Sequence, residues 1–486
     1  MNDAPPAYHR ARTRSGPLPL STQIYQGLGA LPDTCLLFAF GTLLLFYYNQ
    51  VLGLPASRAS LALTIALVVD AIADPLLGSF SDRFRSRLGR RHAFMYASVV
   101  PLGVALTLTF SPPTGLSQNQ LFGWLVGCTV ASRLAMTLFS VPWNALYPEL
   151  TDDYAERSAV VMWRYLVAWV GWFAFALAVW RFIFPSTAEF TPGHLNPHGY
   201  ALFAPLLGGV VALSALLTTQ LTRREIPFLL QPADRAARSS WRSFLGELGL
   251  AARNRDFALL IVAILVTAAI AGTGTALDIY ALTYFWGLLP EDLFWFGFAV
   301  VGSGVAFVAI RPLQARFEKR ELLVGCALFS LVNGFSVVGL RFAGALPENG
   351  DPWLLVILVS SALVRVVADT LAGIMFASMV ADTLDAQELA VGHRQEGLFA
   401  ALLSFAAKAT TGVGVMIGGF LLEHVIDMPK LSNGALLDAE TLKRLGIVAG
   451  FALPLLYLIP VSLAAFYRIT RARHAEILRA LARRRA

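Results

Sequence analysis

The chain has 486 residues, of which 56% are hydrophobic and only 14% are charged. Its mean hydropathy of +0.62 excludes an ordinary soluble globular protein and indicates an integral membrane protein. The net charge of +7 is spread over short segments between apolar runs. No polar stretch is large enough for a nucleic-acid-binding domain, so we expect no nucleic-acid partner.

Apolar runs of about 18 to 30 residues recur along the chain, and each can cross a hydrocarbon core of about 30 Å as a helix. They predict an all-α membrane protein with twelve transmembrane helices. The predicted spans are residues 30–51, 58–80, 92–112, 121–147, 158–184, 200–221, 256–286, 291–311, 321–341, 352–381, 395–424 and 445–468.

Arginine and lysine are concentrated in alternate loops between these spans. Because basic residues next to membrane spans stay on the cytoplasmic side, the pattern predicts that both termini are cytoplasmic. The excess of arginine over lysine is typical of a bacterial genome rich in G and C. We therefore expect a multi-pass protein of the bacterial inner membrane.

The least apolar interior stretch, residues 222–255, separates six predicted spans from six. It predicts an N-terminal six-helix bundle at 1–221, a cytoplasmic linker at 222–255, and a C-terminal six-helix bundle with a short basic tail at 256–486. Within the linker, the sequence WRSFLGELGLAARN is expected to form an amphipathic helix at the membrane surface.

The two halves resemble each other weakly around spans four and ten. A shift of 232 residues superposes Arg133 on Arg365 and Asp153 on Asp385, as in transporters built from parallel repeats. Arg365 also lies four residues before Asp369, and we expect these two side chains to form a structural salt bridge.

The second predicted span carries two carboxylates, in the sequence VVDAIADPLLG. Asp70 and Asp74 lie on one helix face and must point into the bundle, because a carboxylate facing lipid is costly. Two acids this close cannot both ionise cheaply, so a cation binds between them or one is protonated. Pro75 leaves the carbonyl of Ala71 without its amide donor, as a further oxygen ligand. A salt bridge to a buried arginine such as Arg133 is the alternative interpretation.

The same segment continues as GSFSDRFRSRLGRR, from Gly78 to Arg91. Its pattern G-x-x-x-D-R-x-x-x-R-x-G-R-R is similar to the loop between spans two and three of major facilitator transporters. The resemblance implies the major facilitator fold of two six-helix bundles. It also implies that Asp82 helps to hold the cytoplasmic side closed, while Arg83 and Arg87 anchor the loop at the anionic lipid surface.

Three motifs, in order along the chain, narrow the resemblance. They are DAIADPLLG, VPWNALYPELTDDYAERSAVVMWR and VADTLDAQELAVGHRQEGLFAALLSFAAKATTGVG. Together they are similar to signatures of the glycoside–pentoside–hexuronide:cation symporters, the melibiose-permease-like family. The resemblance implies a secondary active symporter that moves a sugar or glycoside with a cation by alternating access. The sequence carries no enzymatic motif, and we expect no enzyme activity.

The family resemblance assigns a cation site to the first half of the chain. Asp70 and Asp74 match the paired acids that bind the coupling cation, and Thr137 matches a threonine that contributes an oxygen. Sodium-coupled members usually have asparagine where this chain has Ala73, and a small residue where it has Arg133. Both departures favour H⁺ over Na⁺ as the coupling ion, and no resident cofactor is expected.

The sugar site that the family implies departs further. Where galactoside-binding members carry an aspartate and a tryptophan on span four, this chain has Ser140 and Asn144. The aspartate of span one is matched approximately by Asp33, with Thr34 at the aligned position. The substrate is therefore expected to be a glycoside other than a simple galactoside. Because eukaryotic relatives carry lysophospholipids, a lysolipid-like amphiphile is the alternative.

Further charges inside the predicted spans complete the expected substrate site. The family's arginine of span five is retained as Arg164, and its lysine of span eleven as Lys408. Asp278 in span seven is followed by two tyrosines and Trp286, and an aromatic surface beside a carboxylate suits a sugar ring. The alternative is that these aromatic residues belong to the core and that Asp278 neutralises a buried cation.

Acidic and basic residues also cluster at the cytoplasmic ends of the two repeat-related loops. Such charges can join the two bundles when the inside is closed and separate when it opens, although a solvated loop is the alternative. The predicted gating residues in these loops are Asp152, Arg157, Asp382, Arg394 and Glu396.

The expected partners follow from these assignments. They are a small-molecule substrate, expected to be a glycoside, and the lipid bilayer, and we expect a monomer. A sugar-sensing receptor derived from a transporter is a further functional class, but the short tails of this chain argue against it.

Overall fold

The computed structural model describes residues 8–10, 14, 16–84, 86–232, 255–391, 396–429 and 437–485. The described residues up to Pro232 form one compact unit, and those from Arg255 onward form a second. The predicted amphipathic helix of the linker lies outside the described residues.

Six membrane helices make up the first unit, and each is long and apolar enough to span a membrane. They are α1 (Leu20–Val51), α2 (Ala56–Arg83), α3 (His92–Thr109), α4 (Gln118–Leu146), α5 (Tyr154–Ala178) and α6 (Pro197–Thr222). Short 3₁₀ segments cover Tyr147–Glu149, Gly193–Leu195 and Arg223–Phe228, and a π turn at Val179–Ile183 extends α5.

The second unit repeats this arrangement and adds a basic tail helix. Its helices are α7 (Arg255–Tyr280), α8 (Pro290–Arg316), α9 (Lys319–Phe342), α10 (Pro352–Val391), α11 (Glu396–Phe420), α12 (Ala439–Ala465) and the tail helix α13 (Arg471–Arg485). π turns at Ala281–Phe285 and Leu421–Val425 extend α7 and α11.

Within the described residues, eleven helices meet the length and hydropathy expected of a membrane span. The remaining predicted span, 395–424, is occupied by α11 and its π turn. Two short antiparallel strands, β1 (Tyr8–Arg10) and β2 (Leu230–Pro232), pair Tyr8 with Pro232. The prediction of an all-α membrane protein is confirmed, with this small ribbon as its one addition among the described elements.

Helices pack in the same order in the two units. In the first unit, α4 contacts α2 and α3, α3 contacts α6, α6 contacts α1, and α1 contacts α5. In the second unit, α10 contacts α8 and α9, α9 contacts α12, α12 contacts α7, and α7 contacts α11. Each of these contacts recurs six helices later, which is the signature of a parallel internal repeat.

Small residues allow some of these helices to approach closely, as is common in membranes. At the contact between α7 and α11, a Cβ atom on Gly414 would lie 2.0 Å from the carbonyl oxygen of Ala269. A Cβ atom on Gly272 would lie 2.2 Å from the carbonyl oxygen of Thr411. Any larger residue at either glycine would force the two backbones apart.

Helix α1 begins at Leu20, well before the predicted start at residue 30. Its first turns are polar, and a hydropathy pattern therefore misses them. These polar groups are buried and hydrogen-bonded: Thr22 Oγ1 donates to Glu225 Oε1 at 2.8 Å, and Gln26 Nε2 donates to the carbonyl of Trp143 at 2.9 Å. Tertiary hydrogen bonds satisfy these groups, which explains why the helix extends beyond its apolar part.

Candidate functional site

Asp70 is buried in the first unit, where α2 packs against α4. Thr137 Oγ1 donates a hydrogen bond to Asp70 Oδ1 at 2.8 Å. Arg133 Nη1 lies 3.7 Å from Asp70 Oδ2. Thr137 and Arg133 lie one turn apart on α4, so a single helix face supplies the carboxylate with both a hydrogen bond and a positive charge.

Two further carboxylates act on the same arginine. Arg133 interacts electrostatically with Asp70, Asp33 and Asp74. Asp74 is half-buried one turn beyond Asp70, and Asp33 is on the exposed face of α1. The predicted cation-binding residues therefore lie in one electrostatic cluster, with Arg133 among them.

Arg133 is held mainly by charge and by an aromatic ring. Its guanidinium carbon lies 5.2 Å from the centroid of the Phe40 ring on α1. Its Nε atom is buried and has no hydrogen-bond partner among the described residues. The backbone carbonyl oxygen of Arg133 lies 3.1 Å from Thr137 Oγ1, a longer contact to the hydroxyl whose single proton is donated to Asp70.

A second arginine, Arg164 on α5, lies against the end of α4. Its guanidinium carbon is 3.8 Å from the centroid of the Trp143 ring and 4.8 Å from that of Tyr147. It also donates to Asn144 Oδ1 and interacts electrostatically with Asp33. The structure thus brings together three of the predicted substrate-binding residues, with two aromatic rings that sequence reasoning did not assign to the site.

Trp143 is fixed by a reciprocal pair of hydrogen bonds with α1. Trp143 Nε1 donates to the carbonyl of Gln26 at 2.9 Å, and Gln26 Nε2 donates to the carbonyl of Trp143 at 2.9 Å. This pairing orients the ring on which Arg164 stacks. Ser140, one turn before Asn144, is half-buried on α4.

The predicted residues of the second unit are less closely gathered. Asp278 on α7 is exposed and interacts electrostatically with Arg365 on α10. Trp286 is buried, and its ring lies edge-on to Phe285 with centroids 4.9 Å apart. Asp278 is therefore accessible on α7, whereas Trp286, just beyond the π turn, is packed against a neighbouring ring. Lys408 is half-buried on α11.

Arg365 and Asp369 form an ion pair of 3.9 Å along α10, and both side chains are more than half exposed. Ser330 Oγ on α9 donates to Asp369 Oδ1 at 2.7 Å. An exposed charge pair in the middle of a span must face water rather than lipid, because a charge in lipid is costly.

A buried charge network lies at the end of α4. Glu149 Oε1 accepts hydrogen bonds from Arg90 Nη2 at 2.7 Å and from Arg91 Nη2 at 3.0 Å. Arg91 Nη1 also donates to Ser81 Oγ at 3.0 Å. All four residues are buried, so the network ties the end of α2 and the start of α3 to the end of α4.

The corresponding place in the second unit has a similar network. Lys319 Nζ, at the start of α9, lies 2.6 Å from Asp382 Oδ2 on α10. The tail helix α13 contributes His474, whose Nε2 is 3.5 Å from Asp382 Oδ1 and 3.1 Å from Asp385 Oδ2. Tyr467 Oη donates to Asp382 at 3.3 Å.

The other predicted gating residues are placed less tightly. Asp152 and Arg157 form an exposed ion pair of 3.6 Å, and Arg87 is exposed. Asp82 and Arg83 belong to α2 and Glu396 begins α11, but their side chains lie outside the described part of the chain. Arg394 lies outside the described residues altogether.

Sequence reasoning assigned no role to Glu149, Lys319 or His474. Glu149 lies in the VPWNALYPEL motif at the end of a predicted span, and that position could have identified it, whereas its partners Arg90 and Arg91 lie in the loop between α2 and α3. Lys319 and His474 meet Asp382 only through tertiary packing, so no local pattern indicates them.

Comparison with known proteins identifies the group of transporters to which the chain is similar. The MFS/sugar transport protein family matches residues 25–471. The putative glycoside/cation symporter YagG of Escherichia coli (strain K12) is 24% identical over 479 residues, covering 96% of each chain. A glucuronide carrier protein homolog of the same strain is 24% identical over 393 residues, covering 79% of each chain.

The fold recurs in a solved transporter. The crystal structure of a D-xylose-proton symporter aligns with a TM-score of 0.56 at 14% identity, over 95% of this chain and 96% of that one. The predicted major facilitator fold, the symporter resemblance and a non-enzymatic transport role are confirmed by these matches. The chain therefore belongs to the MFS/sugar transport protein family.

Proposed function

We propose that this chain is a symporter that moves a sugar or glycoside together with a proton across the bacterial inner membrane, with both termini in the cytoplasm. The observation that carries the proposal is the buried Asp70 carboxylate, which lies between the Thr137 hydroxyl and the Arg133 guanidinium. The glycoside/cation symporter and the glucuronide carrier homolog among its relatives support the substrate class.

The geometry at Asp70 suits a proton better than a metal ion. A proton needs only the carboxylate oxygen, whereas a hard metal cation needs several oxygen ligands in direct contact. Ala73 supplies no side-chain oxygen, and the Arg133 guanidinium lies 3.7 Å from Asp70 Oδ2. Protonation of Asp70 would cancel its attraction for Arg133, so proton binding can change the contact between α2 and α4.

The first unit also offers groups that suit a sugar. Asn144 and Asp33 provide hydrogen-bonding groups around Arg164, Trp143 provides an aromatic ring, and Ser140 lies one turn before Asn144 on α4. A sugar hydroxyl can bond to the amide and the guanidinium while its apolar face rests on a ring. We assign this group as the part of the substrate site that lies in the first unit.

Uptake into proteoliposomes tests the proposal. The probes are radiolabelled methyl β-D-glucuronide, methyl β-D-xyloside and melibiose, each under an inward proton or an inward sodium gradient. We expect at least one glycoside to accumulate under the proton gradient and a protonophore to abolish its accumulation. Accumulation under sodium alone would overturn the proton assignment. No uptake of any glycoside under either gradient would overturn the sugar assignment.

A further inference from the structure

We propose that Arg133 is a tethered counter-ion that sets the ion selectivity of this transporter, because its guanidinium takes the place that a sodium ion would need at Asp70. The inference deepens the proposed function, since it names the residue that excludes sodium from the coupling site. It is tested by sodium binding, which needs no substrate and no transport.

The charge balance around Arg133 leads to this inference. One guanidinium interacts with the carboxylates of Asp70, Asp74 and Asp33. Buried carboxylates in a membrane need a nearby positive charge or a proton. Arg133 supplies one such charge covalently beside the buried Asp70, so Asp70 does not depend on a cation from solution.

Distance also argues against a metal ion beside Asp70. Arg133 Nη1 is 3.7 Å from Asp70 Oδ2, close enough for a strong charge interaction but beyond a direct hydrogen bond. A metal ion in contact with that oxygen would lie next to the guanidinium and be repelled by a like charge in a poorly screened environment. The side chain therefore opposes sodium by occupying space and by its charge.

Removal of this side chain would leave an oxygen-rich site. Asp70 contributes two oxygens and Thr137 one, and the backbone carbonyl oxygen of residue 133, which the substitution does not remove, lies 3.1 Å from Thr137 Oγ1 in the wild-type chain. Asp74 is one turn away on the same helix. Hard cations bind to such sets of carboxylate, hydroxyl and carbonyl oxygens.

Loss of the guanidinium removes a charge rather than a hydrogen bond, and a proton or a bound cation at Asp70 can replace that charge. Its Nε makes no hydrogen bond within the part of the chain that the structure describes, and its guanidinium forms the ion pair with Asp70 and lies over the Phe40 ring. The neutral replacement Arg133→Ser frees space without removing a hydrogen bond between helices. Arg365 is the matched control, because it lies at the repeat-related position of α10 but pairs with Asp369 on an exposed face.

The experiment measures binding of ²²Na⁺ to the purified full-length protein by scintillation proximity at pH 8. We expect wild type, Arg133→Lys and Arg365→Ser to bind no sodium above background at about 10 mM. Arg133→Ser should bind sodium saturably, with affinity raised about tenfold or more over wild type. The double variant Asp70→Asn/Arg133→Ser should lose that binding.

Three results would overturn the proposal. They are saturable sodium binding by wild type, no binding by an Arg133→Ser protein that elutes as a single folded species, and equal gain of binding by Arg365→Ser. If Arg133→Ser does not fold, Arg133→Gln takes its place with the same expected gain. The wild-type measurement can be interpreted without either variant. Because sodium binding is measured without substrate, a failed glycoside uptake assay would not change the interpretation of these results.

Discussion

Arg133 and Arg365 lie 232 residues apart at repeat-related positions of α4 and α10, yet their environments differ. Arg133 reaches across to Asp70 on the neighbouring α2, and its side chain is 21% exposed. Arg365 pairs with Asp369 on its own helix, and its side chain is 59% exposed. The two units share their helix packing. In the first unit the arginine forms a largely buried ion pair with a neighbouring helix, and in the second it forms an exposed ion pair within its own helix.

The partner helices explain this difference. In the first unit, α2 and α4 are joined by the hydrogen bond from Thr137 to Asp70. In the second unit, α8 and α10 are joined by Ser303 and Thr370, whose hydroxyl oxygens are 2.9 Å apart. The middle of α8 has no carboxylate in its sequence, so the second unit has no counterpart of Asp70 on this helix. The internal repeat therefore gives both units the same helix packing, while individual residues give the α2–α4 and α8–α10 contacts different chemistry.

The largest expected effect comes from removing the ionisable group at this contact. Asp70→Asn should abolish proton-driven accumulation of a glycoside and leave exchange across equal concentrations largely intact, because the amide cannot bind the coupling proton. Asp369→Asn is the matched control, and it should retain most of the accumulation. Uptake and counterflow in proteoliposomes measure both. If Asp70→Asn accumulated the glycoside to the wild-type level, Asp70 would not be the proton-binding residue that distinguishes the first unit from the second.

The two charge networks at the ends of α4 and α10 provide a comparison in stability. Glu149→Gln leaves Arg90 and Arg91 buried without their counter-charge and should cost about 3–5 kcal/mol of stability. Asp382→Asn should cost about 1–3 kcal/mol, because Lys319 remains 29% exposed and can be hydrated. Thermal unfolding in one detergent gives the ranking. A lower melting temperature for Asp382→Asn than for Glu149→Gln would contradict it.

A smaller effect is expected at the hydroxyl groups of the same helix contacts. Thr137→Val removes a hydrogen bond to a buried carboxylate and should cost about 1.5–3 kcal/mol. Thr370→Val removes a bond between two neutral hydroxyls and should cost about 0.5–1.5 kcal/mol. The unfolding midpoints of the two variants test this order. Equal losses of stability would show that the charge on Asp70 does not strengthen the hydrogen bond from Thr137.

The last expected effect appears only in acid and concerns His194, in the loop between α5 and α6. Its ring is buried against Phe46 and Trp180, and burial lowers the pKa of His194 to about 3. The unfolded chain, with a histidine pKa of about 6.5, then binds more protons, so stability falls as the pH drops from about 6.5 towards 3.

Replacement by an apolar ring isolates this contribution. His194→Phe should narrow the difference between the unfolding temperatures at pH 7.5 and pH 5, because no buried imidazole remains to be protonated on unfolding. Replacing the buried neutral histidine would thus reduce the loss of stability in acid, whereas replacing an acid of the buried charge networks lowers the stability itself. The same pH dependence in wild type and His194→Phe would show that His194 does not contribute to it.

Sequence reasoning anticipated the parts of the molecule that follow from local patterns. The apolar runs predicted the helices, and the i, i+4 spacing placed Asp70 and Asp74 on one face of α2. The match to Thr137 anticipated a residue that contacts Asp70. Local patterns were informative here because helix periodicity and the cost of charge in lipid restrict where such residues can point.

Features that depend on tertiary packing could not be predicted in this way. The polar start of α1 needs Glu225 and Trp143 to satisfy its side chains, and these lie far away in the sequence. The stacking of Arg164 on Trp143 likewise depends on how α5 lies against α4. The burial of Trp286 also depends on packing beyond the π turn that ends α7, which the sequence pattern does not show.

Substrate-induced current on a solid-supported membrane tests the central claim most directly. The experiment applies a jump of the glycoside identified by the uptake panel to proteoliposomes in sodium-free buffer, with wild type, Asp70→Asn and Asp369→Asn side by side. The account predicts an inward positive current for wild type and Asp369→Asn, and none beyond the binding transient for Asp70→Asn. A full transport current from Asp70→Asn, or a wild-type current that requires added sodium, would contradict it.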